Sequence, residues 1–200
     1  MPPLTPANAE IRSQNVTASE VGALLGPHPY TTPELIWDRL CSPFALTPEQ
    51  NEFMETGSWM EHAILRLAEK RLHLRARANA RTFVSKTHRL CATPDAFVLG
   101  QPPGLIEIKL SGRPELWWSV PEHVQWQVRA QMHCTDRDTA AVCVLVGAGL
   151  RTFIEVRDRA QEDRMLAAVQ AFWTDHVLTG IRPTPAPPPD PVLDFASARR

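Results

Sequence analysis

Thr93-Pro94-Asp95-Ala96-Phe97-Val98-Leu99, then Gly100-Gln101-Pro102-Pro103, then Gly104-Leu105-Ile106-Glu107-Ile108-Lys109-Leu110: this stretch decides the fold. Its last part reads as a strand. Side chains alternate along a strand, so Glu107 and Lys109 share one face and Ile108 takes the other. An acid and a lysine thus stand side by side in an otherwise apolar segment. Such a strand belongs inside a fold, where unpartnered charge is costly. Asp95 follows Pro94 and leads into a second apolar run at 96–99. The residues at 101–104 join the two runs as a hairpin-like pair, and adjacent strands bring Asp95 and Glu107 together.

Two carboxylates that converge repel each other and call for a cation. Upstream, Glu61 lies beside Met60 and one turn before Ile64 and Leu65, at the border of a buried helical face. Two or three carboxylates, a hard metal ion and a lysine are the parts needed for metal-assisted phosphodiester hydrolysis. Plainer readings exist for each residue alone. Glu61 fits an exposed helix acid, and Asp95 fits the cap of a turn after Pro94. Taken together with Glu107 and Lys109, they favour catalysis.

Outward from this stretch, helix signals flank the strands. Thr17-Ala18-Ser19-Glu20 fits a capping box and predicts a short helix that stops at Gly26. Thr32-Pro33 starts a second helix over 34–40, and Thr47-Pro48 starts a long one reaching about residue 72. Strands are expected at 82–84, as one run over 90–99, and at 104–110. A helix over 122–134 places Val124, Val128 and Met132 at fourfold spacing. Strands at 139–146 and 150–156 and an amphipathic helix over 159–178 close the domain. The sum is a mixed α/β (α+β) core, a mixed sheet of about five strands flanked by helices. We divide the chain into an N-terminal extension (1–10), a domain (11–180) and a proline-rich tail (181–200).

The 200 residues suit one domain with a sizeable core, and 44% hydrophobic with 22% charged residues is the balance of a soluble protein. No run has the roughly 20 apolar residues of a membrane span, and the N-terminus lacks a signal-peptide pattern. Cytoplasmic localisation, with no membrane partner, is the expectation. The cysteines at 41, 91, 134 and 143 form no C-x-x-C pair, which argues against a zinc ribbon or an iron–sulfur cluster. Net charge is −1, yet Arg66, Lys70, Arg71, Arg75, Arg77, Arg81, Lys86 and Arg89 crowd one stretch opposed only by Glu69. That stretch reads either as a solvated surface or as a phosphate contact. His28, His62, His88 and His123 show no metal spacing and read as structural or solvated. Trp117-Trp118 and Trp126 read as core or interface before base stacking.

These residues resemble the YqaJ and lambda exonuclease branch of the PD-(D/E)XK nucleases. Thr93-Pro94-Asp95 followed by Glu107-Ile108-Lys109 looks like the signature motif. Gly57-Ser58-Trp59-Met60-Glu61 looks like the upstream G-x-x-x-E, Val16-Thr17-Ala18-Ser19 like the first helix start, and Gln125-Trp126-Gln127-Val128 like the Q-x-Q-V element. The resemblance implies a restriction-endonuclease-like core. It implies Mg2+, with Mn2+ as substitute, on Asp95, Glu107 and the Ile108 carbonyl, with Glu61 nearby. Lys109 would serve the attacking water and Gln127 would steer Lys109. Arg12, Ser19 and Thr93 would hold a 5′-phosphate, and Arg113 matches a further phosphate contact loosely. Departures are Ala96, where the family often has Gly, and Arg129, where a second Gln is usual.

The implied activity is a metal-dependent deoxyribonuclease, a recombination exonuclease acting from 5′ ends on linear double-stranded DNA. A ring trimer and a single-strand annealing protein are the partners that the resemblance allows. The alternatives are a protein that binds DNA ends or a recombination partner without cutting, and a structure-specific endonuclease. An iron–sulfur nuclease is disfavoured by the scattered cysteines.

Overall fold

The structure is a computed structural model that describes residues 5–41 and 52–184. Helix α1 (Pro6–Ser13) is followed by a two-residue strand β1 (Val16–Thr17), a 3-10 turn (Val21–Leu24), and helices α2 (Pro33–Cys41) and α3 (Glu52–Leu72). Strands β2 (Arg75–Ala78), β3 (Phe83–Ser85), β4 (Leu90–Ala92), β5 (Ala96–Leu99) and β6 (Leu105–Ser111) come next. A 3-10 turn (Pro114–Trp117) and helix α4 (Glu122–Thr135) lead to β7 (Thr139–Val146) and β8 (Gly149–Val156). Helix α5 (Arg159–Phe172) passes into a π-helical turn (Trp173–Val177).

The principal sheet has five strands in the order β2-β5-β6-β7-β8. It is mixed: β6 and β7 run parallel, joined by the α4 crossover, and the other pairs are antiparallel. A smaller sheet, β1-β4-β3, stands beside it. The alternation of β6 governs the packing. Ile106 and Ile108 meet Ile64, Leu65 and Ala68 of α3. Leu105, on the opposite face, meets Val124, Val128 and Met132 of α4. Full burial of each such aliphatic side chain contributes about 1.5–3 kcal/mol. Glu107 and Lys109 share the Leu105 phase of the strand, so their side chains lie toward α4.

Several elements depart from the sequence reading. The expected strand over 90–99 is two strands in different sheets, parted at Thr93-Pro94-Asp95. Pro94 has no N–H to continue a ladder. β2 has a surface sequence, Arg-Ala-Arg-Ala, and is an edge strand. The helix expected after Thr17 is only a 3-10 turn, because Val16 and Thr17 are drawn into parallel pairing with Leu90 and Cys91. Half of the capping box survives, since the Thr17 N–H donates to Glu20 Oε2 at 2.9 Å. Helix α1 carries its own start signal, with the Thr5 hydroxyl accepting from the Asn8 N–H. The Thr47-Pro48 start and the tail beyond residue 184 lie outside the described residues. No described helix is long and apolar enough to cross a membrane.

Candidate active site

β5 and β6 bring the two acids of the central motif together. Ala96 pairs with Ile106 in antiparallel register, so Asp95, one residue earlier, falls opposite Glu107. Asp95 is fixed there by its side chain, with Oδ2 accepting from the Ile108 N–H at 2.7 Å. The strand that presents Glu107 and Lys109 thus also orients Asp95.

Glu107 is 2% exposed and is held by three donors. Its Oε1 accepts from Lys109 Nζ at 2.6 Å and from Gln127 Nε2 at 2.5 Å. Its Oε2 accepts from Gln131 Nε2 at 2.6 Å. Gln127 Oε1 in turn accepts from Lys109 Nζ at 3.0 Å, which closes a three-membered network. Gln127 and Gln131 are one helical turn apart on α4, so both amides reach β6 from the same side. Gln131 is 1% exposed and was not among the expected site residues. Its Oε1 is buried with no hydrogen-bond partner among the described residues. The signal that could have found it was its i+4 spacing from Gln127.

The electrostatics are those of crowded acids. Burial, and then the neighbouring Glu107 charge, push the Asp95 carboxyl well above its ordinary value; Lys109 and the Ile108 N–H oppose this. Burial pulls the Lys109 ammonium down, but Glu107, Asp95 and Glu61 together outweigh it and hold it above its ordinary value. Glu61, on α3, is therefore close enough for its charge to act on both Asp95 and Lys109. Among the described residues no three acid, imidazole or thiol groups are gathered to metal-ligating distance. The positive charge paired with Glu107 is the lysine ammonium. The donor chemistry still fits a hard divalent cation, since all the acids are oxygen donors and Asp95 is destabilised as an anion without one.

A cleft of about 990 Å³ opens at Lys109 and Gln127 and extends past Ser19, Ser111 and Arg113. Ser19 and Arg113 are exposed. Arg12 and Thr93 do not line this cleft. Parallel pairing of β1 with β4 ends at Thr17 and Cys91, two residues before Ser19 and Thr93. Arg12 lies close enough to Cys91 of β4 to act on its thiol electrostatically. The Ser19 hydroxyl contacts Thr17 Oγ1 at 3.1 Å, and the Thr93 hydroxyl contacts Thr82 Oγ1 at 2.9 Å. The four-residue 3-10 turn that follows Ser19 is too short to carry a helix dipole toward it.

The tryptophans mostly follow the core reading. Trp117 and Trp126 are buried, and Trp118 is exposed under the Arg151 guanidinium. Within the basic stretch, Arg66 pairs with Glu69 at 2.8 Å and Arg81 lies over Phe83. A second polar network pins α5. Glu162 accepts from Arg157 twice at 2.7 Å and contacts His133 Nδ1 at 2.6 Å, while His133 Nε2 contacts the Ser85 hydroxyl at 2.9 Å.

The sequence pattern of the YqaJ-like viral recombinase domain matches residues 9–138. No curated protein matches the chain. Among solved structures, the fold is similar to an alkaline exonuclease from Laribacter hongkongensis, with TM-score 0.70, 21% identity, and 88% of this chain and 94% of that one covered. The same exonuclease in complex with dAMP gives TM-score 0.68 at 19% identity, covering 86% and 92%. A phage related exonuclease from Haemophilus somnus 129PT gives TM-score 0.64 at 12% identity, covering 83% and 96%.

Proposed function

The chain belongs to the YqaJ-like viral recombinase family, and on that premise we propose that it is a metal-dependent exonuclease that degrades linear double-stranded DNA from 5′ ends. The observation that carries the reading is the convergence of Asp95 and Glu107 on adjacent strands with Lys109 between Glu107 and Gln127. Keeping two acids and a lysine in a buried network is costly for a module that only binds. The likeness in fold to two exonucleases supports it further.

Asp95, Glu107 and the Ile108 carbonyl would hold magnesium or manganese, with Glu61 beside them. When bound, such an ion lowers the pKa of water and neutralises charge on a phosphate. The chain's own groups supply the rest. Lys109 Nζ has donors to orient the attacking water and to offset charge on the phosphorane-like transition state. Gln127 fixes that ammonium, and Gln127 with Gln131 fixes the Glu107 carboxylate. Arg12, Ser19 and Thr93 would receive the 5′-phosphate, which would set the first phosphodiester at the acids. Arg113 would meet a backbone phosphate in the cleft.

The test is a digestion time course on linear duplexes labelled at one 5′ end or one 3′ end, with and without magnesium. The reading expects nucleotide release that requires the metal and begins at the 5′ label. Release beginning at the 3′ label would overturn the polarity. No release under any metal would overturn the activity.

A further inference from the structure

The wall of the cleft opposite in character to Lys109 and Arg113 is aromatic. Tyr30 lines it together with His28 and His123. Tyr30 is 82% exposed, so its ring is open to solvent. His28 and His123 meet edge to face with ring centroids 5.1 Å apart, and each stands 6.1 Å from the Tyr30 ring in the same geometry. His28 Nδ1 accepts from the backbone N–H groups of both Tyr30 and Thr31 at 3.2 Å. Ser19 lines the same cleft as the His28 ring.

Close packing makes this cluster possible. A Cβ on Gly22 would stand 3.1 Å from His28 Cδ2 and 3.1 Å from the His123 backbone, so the absence of a side chain lets the 3-10 turn approach α4. Burial holds His123 down at about 4 and also lowers His28, with Lys109 adding to both effects. At neutral pH both imidazoles are uncharged, so the cluster offers ring faces and edges rather than charge to a phosphate. The phosphate-attracting groups, Lys109 and Arg113, line the same cleft. A strand lying there has its backbone drawn to the cations and its bases facing an exposed aromatic ring on the same cleft.

We propose that Tyr30, braced by His28 and His123, stacks on a nucleobase of the DNA strand whose phosphodiester is presented to Lys109. This rests on the nuclease reading above and adds to it a residue that positions the substrate. Base–aromatic stacking tolerates any base, because every base has a π face. It therefore suits a cleft that must pass all sequences.

The experiment has two arms. In the first, the intact protein without metal binds duplexes carrying 5-iododeoxyuridine at successive positions from each end. It is then irradiated, and the adducts are mapped by mass spectrometry. The chain has a single tyrosine, so a tyrosine adduct identifies Tyr30. We expect that adduct from one or two adjacent positions. Adducts confined to other residues, such as exposed Trp118, would overturn the proposal, as would bound DNA that gives none.

In the second arm, Tyr30→Ala should raise KM about ten-fold with a smaller change in kcat, and Tyr30→Phe should restore it. An abasic nucleotide at the crosslinking position should cost the wild type about as much and Tyr30→Ala nothing more. Digestion by Tyr30→Ala with unchanged KM would refute stacking and leave the nuclease reading intact. A wild type that never digests DNA would remove both.

Discussion

Gln127 and Glu107 are joined at 2.5 Å, the glutamine amide donating to the carboxylate while its oxygen accepts from Lys109 Nζ at 3.0 Å. The amide has its donor side on the acid and its acceptor side on the ammonium, so neither end can be exchanged without loss. Gln127→Ala should therefore lower kcat about 10–100-fold with little change in KM, the usual scale for a residue that orients a site's groups. Steady-state digestion of an end-labelled duplex measures this. An unchanged kcat would show that the bridge is dispensable.

Lys109→Ala should lose most turnover, on the order of 100-fold or more, and still bind the metal. The ammonium sits 2.6 Å from Glu107, so its removal leaves the acids more negative and a divalent cation bound at least as well. Calorimetric titration with magnesium and with manganese checks the second half. Loss of metal binding would mean that the lysine holds the site together structurally.

Arg12→Ala should erase the preference for 5′-phosphorylated over 5′-hydroxyl duplexes, with less effect on basal cutting. A terminal phosphate carries more charge than an internal one, and an arginine fork discriminates on that charge. Rates on both substrates, for wild type and variant, decide it. If the wild type digests the two equally, the pocket of Arg12, Ser19 and Thr93 is wrong.

The Glu162 network gives a pH dependence of stability. Arg157 hydrogen bonding holds the Glu162 carboxyl down at about 2, against the opposing effect of burial, with His133 assisting Arg157. Its ordinary value is 4.5. A depressed folded-state value means stabilisation that is complete above about 4.5 and is lost as the pH falls toward 2, here about 3 kcal/mol. Glu162→Gln should destabilise by up to about 3 kcal/mol at neutral pH, since Arg157 loses its buried anion and keeps only the exposed Asp136 and Asp138. Urea midpoints of the two proteins should converge as the pH is lowered through that window. A difference that stays constant would assign the stability to packing alone.

Much of this was legible in the residues. Apolar alternation gave β6, β7 and β8 nearly to the residue, and fourfold spacing gave α4. The register that opposes Asp95 to Glu107 follows from the short link between two apolar runs. What was not legible depended on neighbours distant in sequence. β2 is a strand because β5 offers an edge, not because Arg75-Ala76-Arg77-Ala78 favours one. Val16 and Thr17 obey a capping signal locally but yield to pairing with β4. Gln131 shows itself only through helix phase, and the contact of His28 with His123 has no local signature at all.

Asp95→Asn tests most directly whether Asp95 and Glu107 form one metal-dependent hydrolytic centre. The amide keeps the size of the side chain and an acceptor for the Ile108 N–H, so folding and DNA binding should persist. A digestion time course on linear duplex DNA in excess magnesium, run beside a binding titration, should show wild-type-like binding with cleavage abolished. Near-wild-type cutting by Asp95→Asn would contradict the assignment.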